Sequence, residues 1–219
     1  MREECLYKDV CENECEQSCI RFLEMDFLLK NSGIPKNKRK IHKLVPEQTD
    51  RTAFEDLADI RDDIVNFVNN GECLYIYSEN CGNGKTTWTI KMLLQYFNDV
   101  WAGNGFRQRG MFINVPYYLT MSKDFGNKTA MDYIESVRNA IMHLDLVVFD
   151  DIASTKLSDY DNANLLTAID SRMLEEKAMI FTGNIIPDKL SDYVGKRLAS
   201  RICSGTTINI RGKDRRTEW

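Results

Sequence analysis

From Thr52 onward apolar residues recur three or four positions apart, at Phe54, Leu57, Ile60, Ile64, Phe67 and Val68, until Asn69-Asn70-Gly71 ends the pattern. That spacing is one buried helix face, and the polar triplet with its glycine is a stop signal. Five short, nearly continuous apolar runs come next: CLYIYS (73–78), MFINV (111–115), LVVFD (146–150), AMIFTG (178–183) and TTINI (206–210). Helical patterns separate them. Strands without polar alternation are buried on both faces, as in a parallel sheet covered by helices. The predicted class is α/β, three layers around a five-stranded parallel sheet.

The residues ahead of this pattern read differently. Residues 1–30 form a cysteine-containing head that is mostly acidic over its first 27 positions, with Glu3, Glu4, Asp9, Glu12, Glu14 and Glu16. Residues 31–51 form a basic connector, from KNSGIPKNKRKIHK onward, with little apolar periodicity. Residues 52–219 are the main domain. With 219 residues, 43% of them hydrophobic and 28% charged, the chain suits one sizeable globular domain with a small appendage. A net charge of −4 speaks against coating nucleic acid by bulk charge, while leaving room for a local basic patch. No apolar run approaches the roughly 20 residues that cross a bilayer, and MREECLYKDV is not a secretory leader. The sequence therefore predicts a cytoplasmic protein, in which the seven cysteines are thiols or metal ligands.

The chemistry centres on YIYSENCGNGKTTWT, where an apolar run leads into Gly82-Asn83-Gly84-Lys85-Thr86 and then into a helical pattern. A triphosphate needs converging backbone N–H groups, close approach without side chains, and the positive end of a helix. Strand, glycine loop, Lys-Thr and helix supply these in order. Lys85 would reach the β- and γ-phosphates, and the Thr86 hydroxyl would hold Mg²⁺. The candidate nucleotide-binding set is Cys81, Gly82, Asn83, Gly84, Lys85, Thr86 and Thr87, together with Asp150. Glu79 stands where the usual loop has its first glycine, which should alter loop shape more than binding.

LDLVVFDDIAST ends an apolar strand in paired acids, at the carboxyl edge where parallel sheets bind ligands. Asp150 is the candidate for organising hydrated Mg²⁺, and Asp151 for orienting or deprotonating water. In MIFTGN, Thr182 and Asn184 emerge at the same edge, where a neutral polar group can hold the water in line. Arg197 and Arg201 fall one helical turn apart on one face. An arginine supplied to a neighbouring subunit can stabilise the transition state; two solvated surface arginines are the plainer reading.

Together CGNGKTT, LVVFDDIAST, IFTGN, GKRLASRI and GKDRR resemble the ATPase core of the AAA+ helicase loaders, the DnaC/DnaI-like proteins, especially their bacteriophage forms, over residues 52–219. The resemblance implies a P-loop AAA+ fold, with Lys85 and Thr86 as the Walker A pair and Asp150 and Asp151 as the Walker B pair. By it, Asn184 is the sensor 1 residue and Arg201 the arginine finger. Arg216, or its neighbour Arg215, is the sensor 2 arginine. It further implies ATP or ADP with Mg²⁺ as ligands, a replicative hexameric DNA helicase and single-stranded DNA as partners, and the host cytoplasm as location. Asp151 stands where many AAA+ ATPases carry glutamate. The sequence stops at Trp219 without the C-terminal helical lid of larger members, so nucleotide is expected at a subunit interface, formed by self-assembly or on the helicase.

Cys5, Cys11, Cys15 and Cys19 lie within fifteen residues. Four thiolates can close a tetrahedral zinc site; an iron–sulfur cluster uses the same ligands, and packed thiols need neither. The head is expected to grip the helicase, by the resemblance alone. Lys36, Lys38, Arg39 and Lys40 are either a solvated linker or a DNA contact. The rival functions are a transposition-regulating ATPase, a small-molecule phosphotransferase, for which no acceptor pocket or basic lid is evident, and a non-hydrolysing nucleotide-gated adaptor.

Overall fold

The structure is a computed structural model that describes residues 5, 11, 16, 18–39 and 44–215. Its centre is a five-stranded sheet of β1 (Cys73–Tyr77), β2 (Gly110–Asn114), β3 (Leu146–Asp150), β4 (Ala178–Gly183) and β5 (Thr206–Asn209). The strands run in the order β2-β3-β4-β1-β5, and every pairing is parallel. All five predicted runs are strands. Their uninterrupted apolar character has the expected cause: β3 and β4 are buried at every position.

Alternate strand residues feed two separate cores, as the two-residue period of a strand requires. Leu74, Ile76, Val148 and Ile180 face one, formed with α1 (Ile20–Lys30), α2 (Arg51–Asp62), α3 (Ile64–Asn69) and α4 (Lys85–Val100). Tyr75, Val147, Phe149 and Phe181 face the other, formed with α5 (Val115–Met121), α6 (Lys128–His143), α7 (Asp159–Leu174) and α8 (Pro187–Ile202). Helices thus cover both faces of the sheet, giving three layers. Among the described residues, no helix is long and apolar enough to cross a membrane.

Two details depart from the sequence pattern. The helix expected from Thr52 to Val68 is two helices, broken at Asp63 (φ −108°, ψ 27°). Asp63 accepts from the Asn66 amide at 2.6 Å, and the bend buries Ile64 completely while Ile60 stays partly exposed. The stretch ahead of residue 52 is also more deeply engaged than its basic charge suggests. Met25, Leu28 and Leu29 of α1 lie in the same core cluster as Leu93 and Phe97 of α4. Ser32 and Ile34, within the expected connector, are buried. The packing of this stretch follows the apolar face of α1.

Candidate nucleotide site

The loop after β1 is shaped by its glycines. Gly82 (φ 71°) and Gly84 (φ 104°) occupy the left-handed region, which glycine enters without steric cost. At Gly82 a Cβ would also stand 1.8 Å from the Asp214 carboxylate, so that side chain would have to move aside. No side chain caps α4, which begins at Lys85 directly after the loop. Lys85, Thr86 and Thr87 of its first turn line the cleft, and a helix start set against a cleft is the arrangement that binds anions.

Asn83 is fully buried and turns its side chain inward. Its amide donates to Ser78 Oγ at 2.6 Å and to the Ile210 carbonyl at 2.7 Å, tying the loop to the end of β5. Its Oδ1 accepts from Lys85 Nζ at 3.1 Å, and Lys85 also donates to the Asn80 carbonyl at 2.9 Å. Asn83 thus serves the cleft through its backbone and through its hold on Lys85. The segment after β5 braces the loop from outside. Arg215 N–H donates to the Gly82 carbonyl at 3.0 Å, and the Asn80 amide reaches the Arg211 and Gly212 carbonyls at 3.3 Å. Glu79 is exposed, keeps a negative φ and does not line the cleft. An acid is tolerated there because the backbone needs no glycine and the charge stays outside.

The paired acids meet the loop across the sheet. Thr86 Oγ1 donates to Asp150 Oδ1 at 2.9 Å, and Thr182 Oγ1 donates to the same oxygen at 2.8 Å. Thr182 Oγ1 in turn accepts from the Asp151 N–H at 2.8 Å. The Asn184 amide reaches Asp151 Oδ1 at 3.4 Å. Thr182 was expected near the water; it also joins β3 to β4 beneath both acids. Burial pushes the Asp150 carboxyl above its ordinary value, against the two threonine donors and the charge of Lys38, with Asp151 adding to the rise.

A raised folded-state value means that ionised Asp150 opposes folding at neutral pH, and that the penalty is relieved only as pH falls through the raised value. Asp150→Asn removes the charge while its Oδ1 still accepts from Thr86 and Thr182. The variant should melt above the parent in the absence of ligand at pH 7, with the gap closing in acid. In Mg²⁺ it should bind ATP more weakly. Paired melting curves and titrations check both halves of this exchange of stability for function.

These groups share one cleft of about 610 Å³, lined by Cys81, Thr87, Asn114 and Asn184 as well as the loop and the acids. Thr86 and Asp150 offer a hydroxyl and a carboxylate side by side at the carboxyl edge, a set of oxygens suited to a hard divalent cation such as Mg²⁺. Contributors that escaped the sequence pattern include Asn37 and Lys38 on one side, Leu44 against Gly84, Lys91 of α4, and Asn114 at the end of β2. A polar residue closing an apolar strand, as Asn114 does, was a visible signal; Lys38 carried none beyond its charge.

Other expected residues lie elsewhere. Arg201 is far from its own cleft: its carbonyl accepts from the Cys73 thiol at the opposite end of β1, about 13 Å along the strand from the loop. Its guanidinium pairs with Asp170 at 2.8 Å, and Arg197 approaches the same carboxylate at 4.0 Å, so the two do share a face. Arg215 is buried against Asp50 at 2.6 Å, donates to the Val45 carbonyl, and lies 4.9 Å from the Phe54 ring centroid. Its guanidinium fastens the segment after β5 to the start of α2 at the edge of the cleft. Arg216, Lys40 and Cys15 lie outside the described residues. Among those described, no three histidines, cysteines or acids form a metal-holding group, and the expected site of Cys5, Cys11, Cys15 and Cys19 lies partly outside the described residues.

No family model and no curated protein matches the sequence. Solved structures do. The chain is similar to the DnaC helicase loader (TM-score 0.62, 21% identity, 81% of this chain and 100% of that one). It is also similar to DnaI (TM-score 0.61, 17% identity, 84% and 94%). A third likeness is to AMPPCP-bound DnaA from Aquifex aeolicus (TM-score 0.61, 20% identity, 84% and 53%). The chain thus spans about half the length of the AMPPCP-bound DnaA structures it matches. The fold is the AAA+ P-loop fold.

Proposed function

We propose that the chain is an ATP-binding helicase loader of the DnaC/DnaI-like kind, in a bacteriophage form, that helps place a replicative hexameric helicase on single-stranded DNA. The observation that carries this reading is the convergence of Lys85, Thr86, Asp150 and Thr182 at the carboxyl edge of a β2-β3-β4-β1-β5 parallel sheet. Convergence of this kind suits a nucleoside triphosphate with its divalent cation. The helicase partner is supported by shape: the fold extends over the whole of the DnaC loader chain but only half of DnaA. Contact with single-stranded DNA is supported by a DnaA structure that contains both AMPPCP and single-stranded DNA.

In this reading the backbone of residues 81–87 holds the phosphates and Lys85 leaves Asn80 and Asn83 to meet the terminal ones. Thr86 and Asp150 would hold Mg²⁺, which supplies charge neutralisation on the phosphate oxygens. Asp151 orients or deprotonates water, with the Asn184 amide 3.4 Å away to position it. Arg201 cannot serve its own cleft and would act on that of a neighbour, released from Asp170 on assembly, whereas the sensor 2 role belongs to Arg216. The cysteine head remains the proposed helicase grip, with zinc as its ligand if the four thiols assemble.

A pull-down against a replicative helicase, with ATP turnover measured with and without single-stranded DNA, tests the reading. Capture of the helicase with stimulated turnover supports it. Failure to bind the helicase under ATP overturns the loader assignment, and capture without turnover turns the chain into a nucleotide-gated adaptor.

A further inference from the structure

The segment that precedes α2 carries a lysine of its own, Lys38, to the cleft that Lys85 and Lys91 of α4 also line, and is fastened there by its own bonds. β2 is an edge strand, and its outer side is occupied: the Phe112 N–H donates to the Ser32 carbonyl at 2.7 Å. Ser32 is fully buried; its hydroxyl donates to the Leu29 carbonyl at 2.8 Å and accepts from the Ile34 N–H at 3.1 Å. Gly33 (φ 71°) lies so close to β2 that a Cβ would stand 2.3 Å from the Phe112 carbonyl oxygen. Ile34 is buried, and Arg39 Nε donates back to its carbonyl at 3.1 Å. α1 anchors the segment on one side and β2 on the other.

Beyond this anchor the chain makes the turn Lys36–Lys38, and Asn37 and Lys38 line the same cleft as Lys85, Asp150, Asp151 and Asn184. The direction of approach matters. Lys85 rises from the loop after β1, whereas Lys38 arrives from beyond β2, with β3 and β4 and their polar ends between. Asp150 already feels the Lys38 charge. A triphosphate laid along the loop toward Asp150 would bring its terminal phosphate between Lys85 and Lys38, while a diphosphate would stop short of Lys38.

We propose that Lys38 is a ligand of the terminal phosphate of ATP, supplied by the same chain, so that the cleft tells ATP from ADP through a segment continuous with α1. This rests on the nucleotide-site reading above and deepens it. The cation is delivered in place by the docking of Ser32, Gly33 and Ile34, so it needs no neighbouring subunit. The shared cleft between the turn and the loop gives nucleotide state a direct line to α1, and through it to the residues ahead of α1.

Equilibrium titration of the full chain with fluorescently labelled ATP and ADP in Mg²⁺ tests this. Lys38→Ala should weaken ATP binding by about tenfold, the loss of one charge-assisted contact, and leave ADP unchanged. Lys38→Arg should restore the preference for ATP. Lys36→Ala, in the same turn but outside the cleft, should alter neither. Lys85→Ala should weaken both nucleotides. Equal affinities in Lys38→Ala and parent, or equal loss of ATP and ADP, overturns the role of Lys38 while a disabled Lys85→Ala keeps the site itself. Unchanged binding in Lys85→Ala overturns the site, and Lys38 with it.

Discussion

Lys85→Ala is expected to weaken ATP binding by at least about a hundredfold, since it removes a charged donor from a site whose ligand carries several negative oxygens. The folded chain should survive the change. Lys85 is buried, and its ammonium donates to two groups of its own loop, Asn80 O and Asn83 Oδ1. Asn83 keeps its two bonds to Ser78 and Ile210, so the loop remains tied to the end of β5 without the lysine. Calorimetric titration with ATP and Mg²⁺, beside a melting curve, separates lost binding from lost structure. Wild-type affinity in a protein with an unchanged melting temperature would remove the nucleotide site from this loop.

The largest effect on stability is expected at Arg172, at the other end of the sheet. This side chain is fully buried, and its pKa is pushed down to about 10 by burial, with Asp145 opposing the shift. It donates to four carbonyls: Ile141 at 2.8 Å, Leu144 at 2.9 Å, Asp145 at 3.1 Å and Ala178 at 2.7 Å. Ile141 and Leu144 end α6, Asp145 leads into β3 and Ala178 opens β4, so one guanidinium closes a helix end and two strand starts. Arg172→Met fills similar volume and leaves all four acceptors without that donor. The expected loss is about 3–5 kcal/mol, or a melting temperature lower by about 10 °C. ATP affinity measured below the transition should be unchanged, because Arg172 serves the edge of the sheet opposite the cleft.

The sheet was legible because each strand is buried on both faces and so writes an unbroken apolar run between polar turns. The loop and the paired acids were legible because the chemistry of phosphate and cation demands particular residues in a particular order. The structure adds the contacts: β4 lies beside β3, which is why Thr182 can bond Asp150 and Asp151 at once. Asp63 was not legible as a break, since Ile60 and Ile64 fit one helix equally well on paper. The docking of Ser32, Gly33 and Ile34 left even less trace. It depends on one backbone bond to β2, the buried Ser32 hydroxyl, the close approach of Gly33 and a buried isoleucine, among lysines that read as solvated. Arg215 and Arg172 show the same limit, for a buried arginine looks like a surface one until its partners are known.

The turn after β3 gives the aspartate at position 151 a different meaning. Asp151 (φ 60°) and Ala153 (φ 66°) both sit on the left-handed side, at a cost of about 1 kcal/mol each for ordinary residues. Thr182 clasps this strained turn, its hydroxyl taking the Asp151 N–H and its carbonyl the Ile152 N–H at 2.8 Å. Aspartate is among the few side chains that visit this region cheaply, because its short carboxylate can bond locally. Glutamate would lose that tolerance, and its extra methylene would move the carboxylate away from the Asn184 amide. The shorter acid is thus what the bent backbone can hold, a residue that the geometry of the turn selects.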